Sequence, residues 1–154
     1  MRDNIDSNYL ILISSDGKRE GYEIFKERIK NNMWPIYNKT PQLINIKKDK
    51  KVLFYIAGTN NFAQNFIGSA LIDEVVDLKE TTIDPNQEFK QVLLNVKFKD
   101  FKYFKKPINI KDHIKNLSFI DEKKRNIYGL YFQGGVCKIN QQSYDYIIKS
   151  TSVN

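Results

Sequence analysis

A stretch without a single charged side chain, residues 52–72, constrains the fold of this chain most strongly. It reads VLFYIAGTNNFAQNFIGSALI, and because polar residues interrupt its middle, its longest apolar run is Val52–Ala57. A membrane-spanning helix needs about 20 mostly apolar residues, so the stretch does not form one. The pattern instead predicts two strands, 51–57 and 66–76, joined by a polar loop with Phe62 at its tip. Strands without charge are expected to be buried on both faces or to line a pocket.

Hydrophobic spacing predicts further short elements along the chain. Strands are predicted at Tyr9–Ser14, Gln91–Phe98, Leu130–Phe132 and Val136–Ile139, and helices at Glu20–Asn31, Ile110–Asn116 and Gln141–Ser150. Asn109 and Asn140 are expected to cap the last two helices, and Trp34-Pro35 to end the first. Strands outnumber helices, which favours the α+β class with a curled mixed sheet or a small β-barrel and short flanking helices. The 154 residues are expected to form one domain, 1–154, with a frayed tail over 151–154.

The composition removes several kinds of site. One cysteine and one histidine exclude an internal disulfide and every zinc site built from several such ligands. The sequence contains neither a Walker A motif nor G-x-G-x-x-G, so no cofactor is predicted. The N-terminal segment lacks the basic start and the cleavage site of a signal peptide. We therefore expect a soluble, cytoplasmic protein without a membrane partner.

Charge is distributed unevenly over a net +7. Residues 18–51 and residues 97–125 each carry ten Lys or Arg against four Asp or Glu, whereas residues 73–88 carry six acidic side chains and one lysine. A basic face attracts phosphate backbones, and an acidic edge repels them and orients the ligand. The phosphate-binding candidates in and near these segments are Lys39, Lys47, Lys48, Lys102, Lys105 and Lys106.

Three aromatic residues lie where a core role is not obvious from the sequence. Trp34 follows a predicted helix, Tyr55 lies in the charge-free strand, and Phe62 lies in a loop of Asn and Gln. A planar base stacks on aromatic faces, amides read its edge, and lysines hold the neighbouring phosphates. Stacking contributes ~1–3 kcal/mol per base, so two aromatic walls could offset the few kcal/mol that extruding a base from a duplex costs.

Short motifs follow one another in a characteristic order. They read YLILISS at 9–15, WPIYNKT at 34–40, KKVLFYIAGT at 50–59, FIGSALI at 66–72, LSFI at 117–120 and YGLYFQGGV at 128–136. This order resembles the EVE family of PUA-like domains and is similar to the related YTH domains. The resemblance implies a PUA-like fold and a non-enzymatic reader that accepts a flipped modified base of DNA, of the 5-methylcytosine type or N6-methyladenine, in an aromatic pocket.

The resemblance also implies partners and site residues. The partners would be DNA with a modified base and a nuclease or AAA+ motor, in a modification-dependent restriction system. The base pocket would comprise Trp34, Tyr37, Asn38, Ser14, Ser15, Phe54 and Tyr55, and the loop contacting or invading the nucleic acid would comprise Thr59, Asn60, Asn61, Phe62 and Gln64.

Two other readings stay open at this point. An RNA-binding PUA-like protein would use the same pocket for single-stranded or modified RNA. A protein-interaction or small-molecule module would show no salt-dependent affinity for nucleic acid.

Enzymatic chemistry is not favoured by the residues. Asp49-Lys50-Lys51 and Glu88-Phe89-Lys90 resemble the carboxylate–lysine triplets of metal-dependent nucleases, but such triplets arise by chance among 25 basic and 18 acidic side chains. His113 has no neighbouring nucleophile in the sequence, and Cys137 reads as a small buried apolar residue.

Overall fold

The computed structural model describes residues 9–15, 19–37, 40–84 and 90–152. The strands are β1 (Tyr9–Ser14), β2 (Trp34–Tyr37), β3 (Lys51–Ile56), β4 (Asn65–Asp84), β5 (Lys90–Asn109) and β6 (Val136–Lys138), and the α-helices are α1 (Gly21–Asn31) and α2 (Gln141–Ser152). Short 3₁₀ segments cover Leu43–Asn45, Ile110–Asp112, Ile114–Asn116 and Glu122–Phe132.

One curled mixed sheet of six strands, in the order β2-β5-β4-β3-β1-β6, carries the fold. β1 and β3 are parallel, and the other neighbouring pairs are antiparallel. Every residue of β1 is buried, as expected of a strand covered on both faces. These observations confirm the α+β class and the curled mixed sheet predicted from the sequence.

Side-chain alternation along β1 and β3 divides the core into two clusters. Leu12 and Phe54 point to the cluster beneath α1, which also contains Phe25. Ile13 and Tyr55 point to the opposite cluster, which contains Ile147 of α2 and Phe132. The sheet is therefore packed on both faces, and functional groups are left for its ends and loops.

The two α-helices begin and end close to their predicted positions. Asn140 caps α2, since its side-chain oxygen accepts a hydrogen bond from the Ser143 backbone N–H at 3.0 Å. Asn109 does the same for Lys111 at 2.9 Å, although the predicted helix 110–116 is two separate 3₁₀ turns. Among the described residues, no helix has the length and apolar character to cross a membrane.

Two predictions about the strands are wrong. Trp34-Pro35 does not lead into a loop but begins β2, which pairs antiparallel with β5 at the edge of the sheet. An edge strand tolerates proline because the missing N–H can face away from the ladder. Leu130–Phe132 is the end of a 3₁₀ segment and not a strand. The predicted strands 66–76 and Gln91–Phe98 are cores of the longer β4 and β5, whose pairing continues across several β-bulges.

Candidate functional site

A cavity of about 880 Å³ lies at the end of the sheet where the parallel strands β1 and β3 finish. Ser15 follows β1, and Ala57 and Gly58 follow β3; all three line the cavity. One wall comes from β2, and a second wall comes from the chain between Asn126 and Val136. The volume falls within the ~300–1,000 Å³ of ordinary ligand pockets.

The β2 wall contains Trp34 and Tyr37, which differ in how much surface they offer. Trp34 is only 2% exposed, and its ring packs against Phe54 with 5.2 Å between the centroids. The Arg28 guanidinium lies over the indole at 4.8 Å and donates a hydrogen bond to the Tyr37 hydroxyl at 3.2 Å. Tyr37 is half-buried. Tyr37 therefore offers a ligand more aromatic surface on this wall than Trp34 does.

The second wall is built on Glu122–Phe132, two 3₁₀ stretches separated by a kink at Ile127. Asp121 caps the segment by accepting a hydrogen bond from the Lys123 N–H at 3.0 Å. Tyr128 lines the cavity and is half-buried. Phe132 stacks on Tyr55 with 4.1 Å between centroids and 14° between planes, which fixes the base of the wall.

Gln64, which lines the cavity, is held by hydrogen bonds of its backbone and of its side chain. Its backbone adopts a left-handed conformation (φ +66°), which is uncommon for a residue other than glycine. Its carbonyl accepts from the Ile110 N–H at 3.0 Å, and its own N–H donates to Ile56. The Tyr128 hydroxyl donates a hydrogen bond to the Gln64 side-chain Oε1. This bond uses one of the two lone pairs of the oxygen and orients the amide, whose N–H groups are the donors that Gln64 can offer a ligand.

Burial favours the neutral form of two tyrosines that line the cavity, Tyr55 and Tyr128. It raises the pKa of both Tyr55 and Tyr128 above the ordinary value of 10. At neutral pH both side chains are therefore neutral hydroxyls beside a ligand. Among the described residues, Arg28 supplies the positive charge that lines the cavity.

A Gly134-Gly135 turn closes the rim between the 3₁₀ segment and β6. Both residues have positive φ, +90° and +91°. A Cβ on Gly134 would lie 2.7 Å from the Pro41 side chain, so this position requires glycine. The Gly135 carbonyl accepts a hydrogen bond from the Ile13 N–H at 2.8 Å, which ties the rim to β1.

The residues assigned to a base pocket are only partly together. Ser15, Trp34, Tyr37 and Tyr55 line the cavity. Ser14 is fully buried and donates its hydroxyl hydrogen to the Gly21 carbonyl, and Phe54 is fully buried in the core beneath α1. These two residues do not line the cavity. Asn38 lies outside the described residues.

The predicted nucleic-acid loop divides between the cavity and the surface. Gln64 lines the cavity, whereas Phe62 is 44% exposed and packs on Tyr22 with 4.6 Å between the ring centroids. Asn61 donates to the Glu20 carboxylate at 3.5 Å. Thr59 and Asn60 lie in the same exposed turn.

The described lysines among the phosphate-binding candidates do not line the cavity. Lys47 and Lys48 are exposed and precede β3, at the end of that strand away from the cavity. Lys102 and Lys105 border a second, smaller cavity of about 400 Å³, and Lys106 is exposed on β5. Lys39 lies outside the described residues.

Sequence reasoning missed Arg28, Tyr128 and the Gly134-Gly135 rim as parts of the site. The glycine pair had a signal, because two adjacent glycines mark a backbone that needs positive φ. Arg28 and Tyr128 had none, since each reaches the cavity only through the packing of α1 or of an irregular segment. Among the described residues, no three His, Cys, Asp or Glu side chains gather as metal ligands.

Several solved structures share the fold of this chain. The crystal structure of the DUF55 domain of human thymocyte nuclear protein 1 superposes with a TM-score of 0.57 at 14% identity, covering 95% of this chain and 99% of that one. Human THYN1 in complex with DNA containing 5-methylcytosine gives 0.55 at 15%, covering 93% and 96%. The solution structure of Rpa0253 from Rhodopseudomonas palustris gives 0.56 at 13%, covering 94% and 93%.

These likenesses concern the fold, and no curated protein matches the sequence. The sequence itself matches the profile of the EVE domain over residues 8–150, which is nearly the whole chain. The chain belongs to the EVE domain family, as its motif order predicted.

Proposed function

We propose that this protein is a nucleic-acid reader that accepts one flipped, modified base of DNA in the cavity at the end of β1 and β3. The observation that carries the proposal is the pairing of aromatic rings with a fixed amide in a cavity of about 880 Å³. The favoured ligand is a base of the 5-methylcytosine type, with N6-methyladenine as the second base to be tested.

The aromatic walls supply the energy for holding a base. Tyr37 and Tyr128 line the cavity, come from different walls and are half-buried, so each has ring surface available. Stacking contributes ~1–3 kcal/mol per ring and base, and flipping costs a few kcal/mol. Two tyrosines can therefore offset flipping, whereas one alone would be marginal. In this proposal Tyr37 takes the stacking role that the motif order assigns to Trp34.

Gln64 supplies a hydrogen bond to the base edge. Its backbone is fixed by Ile56 and Ile110, and its side-chain oxygen is engaged by Tyr128. A donor that is already in place loses little side-chain entropy when a base arrives. A protein of the same fold, human THYN1, has been crystallised with DNA containing 5-methylcytosine, which supports the choice of this base for the first test.

A reader breaks no bond, so its effect requires an effector elsewhere. We propose that this effector is a nuclease or an AAA+ motor, in the same polypeptide or a partner, as in a modification-dependent restriction system. A pull-down from the source cell with the full chain would test this, with a nuclease or motor subunit as the expected companion.

The test of base reading compares oligonucleotides that differ in one base. The set comprises a duplex with one 5-methylcytosine, the same duplex unmodified, the duplex with one N6-methyladenine, and single-stranded RNA of matching sequence. We expect the 5-methylcytosine duplex to bind most tightly. Binding to RNA alone would favour the RNA-binding alternative.

A matched pair of tyrosines locates the base. Tyr128 lines the cavity, whereas Tyr131, three residues later and also half-buried, packs against Phe119 instead. Tyr128→Ala should weaken binding of the modified duplex about 5- to 150-fold, the loss of one stacking contact. Tyr131→Ala should leave it unchanged. Equal effects of the two substitutions on binding would show that the base does not bind in this cavity.

A further inference from the structure

Two of the most exposed aromatic side chains of the described surface lie close together on α1. Phe62, in the loop between β3 and β4, is 44% exposed, and Tyr103 of β5 is 55% exposed. Phe62 packs on Tyr22, with 4.6 Å between centroids, and Tyr103 contacts Phe25, with 6.0 Å. Tyr22 and Phe25 are themselves stacked at 6.4 Å. Tyr22, Phe62 and Tyr103 form what is called here the stacking surface.

The backbone holds the Phe62 ring outside the core. Phe62 has a φ of +58°, a left-handed conformation that aromatic residues rarely adopt. The Asn65 side-chain amide secures the turn by donating to the Phe62 and Ala63 carbonyls at 3.3 and 3.0 Å. Backbone strain of this kind persists where the surroundings impose it, and it collects at binding sites.

Positive charge lies next to Tyr103 along β5, where side chains alternate between the two faces of the sheet. Lys105 shares the face of Tyr103, whereas Lys102 pairs with Ser69 and points to the face covered by α2. Tyr103 lines the second cavity together with Lys51, Lys102 and Lys105, against the single acidic side chain of Asp100. Lys102 and Lys105 form no ion pair with another described residue. Lys26 lies 4.9 Å from the Tyr22 ring and pairs with Glu23 at 3.1 Å, both side chains being exposed.

One loop, between β3 and β4, contributes to both the stacking surface and the cavity. Gly58 and Gln64 line the cavity, and Phe62 lies between them in the same loop. Tyr103 pairs across the sheet with Gly68, which in turn faces Phe54, so the surface continues from the end of β3 toward its middle. Exposed rings beside lysines are the combination with which proteins bind unpaired nucleotides.

We propose that the stacking surface binds unpaired nucleotides that flank the base held in the cavity, with Lys105 contacting their phosphates. This inference rests on the proposed nucleic-acid reading and adds a second, sequence-tolerant contact to it. In this proposal Phe62 is a stacking platform held in place by Tyr22, and its ring does not insert between the base pairs of the duplex.

The experiment uses the full chain and two kinds of DNA. One is a blunt duplex with a single 5-methylcytosine, and the other is the same duplex with an unpaired oligothymidine extension at the 5′ or the 3′ end of one strand. Unmodified versions of both are measured alongside. We expect one of the extensions to raise affinity about 5- to 150-fold for each base stacked, whether or not the cytosine is methylated.

Substitutions then assign the gain to the rings. Phe62→Leu and Tyr103→Leu keep apolar bulk but lose the aromatic face, so each should reduce the gain from the extension. Tyr103→Phe keeps the ring and should retain it. The control Ile44→Ala should retain it as well, because Ile44 is 78% exposed and lines neither the cavity nor the stacking surface. Discrimination between methylated and unmethylated cytosine should persist in all four variants.

The outcomes separate the two proposals. Absence of any gain from either extension, or a gain that survives both leucine substitutions, overturns the stacking surface. Absence of discrimination in the unaltered protein overturns base reading, whatever the extension does. If circular dichroism shows that Phe62→Leu does not fold, the comparison of Tyr103→Leu with Tyr103→Phe tests whether the aromatic rings produce the gain.

Discussion

The only tryptophan of the chain, Trp34, shows how far a residue's neighbours determine its role. Its ring lies among Phe25, Phe54 and Phe98, at centroid distances of 6.2, 5.2 and 6.1 Å, and beneath the Arg28 guanidinium. An aromatic residue followed by Pro-Ile-Tyr reads equally well as a loop or as an edge strand. Its burial follows from the pairing of β2 with β5, which local sequence does not encode.

The main effect of Trp34→Ala should therefore be a loss of stability, and any loss of binding should follow from it. Removing a large buried ring costs about 3–5 kcal/mol, and Trp34 is 2% exposed. Urea unfolding should show this loss, whereas Met33→Ala, at a neighbour that is 45% exposed, should change the free energy of unfolding little. A Trp34→Ala protein as stable as the original would mean that the indole is not part of the core.

Cys137 is expected to be unreactive in the folded protein. It is 9% exposed, and burial raises the pKa of its thiol to about 12, so almost none is thiolate at neutral pH. A thiol reagent at pH 8 should label it slowly in buffer and rapidly in urea. Equal labelling rates in the two conditions would show that β6 is open to solvent.

At the scale of elements, the sequence predicts well those strands and helices whose burial is visible in the order of apolar and charged residues along the chain. β1 and β3 lack internal charge, and Asn140 precedes an apolar helical face, so each was located within a few residues. The wall formed by Glu122–Phe132 has no such pattern, because 3₁₀ segments have no sustained amphipathic period. Tyr128 was therefore not predicted as a site residue.

Removal of the Asn140 cap should destabilise the protein modestly. The Asn140 side chain is hydrogen-bonded to the Ser143 N–H at 3.0 Å, and loss of an N-cap costs about 1 kcal/mol. Asn140→Ala should lower the free energy of unfolding by about this amount. Gln141→Ala, at the next and exposed position, serves as the control and should have little effect.

The approach of α1 to the sheet depends on Gly21. A Cβ at this position would lie 2.9 Å from the Ser14 carbonyl oxygen, a backbone atom that cannot move without shifting β1. Gly21→Ala should cost about 1–3 kcal/mol despite the better helix propensity of alanine. At Gly129 no heavy atom lies within 4 Å of the place that a Cβ would take, so Gly129→Ala should change stability little. Thermal unfolding of the two variants measures both effects.

At the scale of the whole molecule, the proposed function assigns different roles in binding to charge and to shape. The net charge of +7 would supply attraction to a phosphate backbone, and the cavity would supply the choice of base. Attraction to phosphates weakens as salt rises, whereas stacking and the Gln64 hydrogen bond respond far less.

Salt should therefore lower affinity without lowering discrimination. Raising the salt concentration from about 50 to about 200 mM should weaken binding of methylated and unmethylated duplexes by the same factor, which leaves the ratio of their Kd values unchanged. Fluorescence anisotropy at several salt concentrations measures both quantities. A ratio that collapses toward one at higher salt would mean that the preference arises from phosphate contacts.

The most direct measurement concerns the position of the base itself. A duplex containing 5-methylcytosine with a ¹³C-labelled methyl group reports its surroundings by NMR. Entry into the cavity should shift the methyl signal through the ring currents of Tyr37 and Tyr128 and produce cross-relaxation with their protons. A methyl signal that keeps its duplex position when the protein is fully bound would contradict the account, because the base would have stayed in the stack.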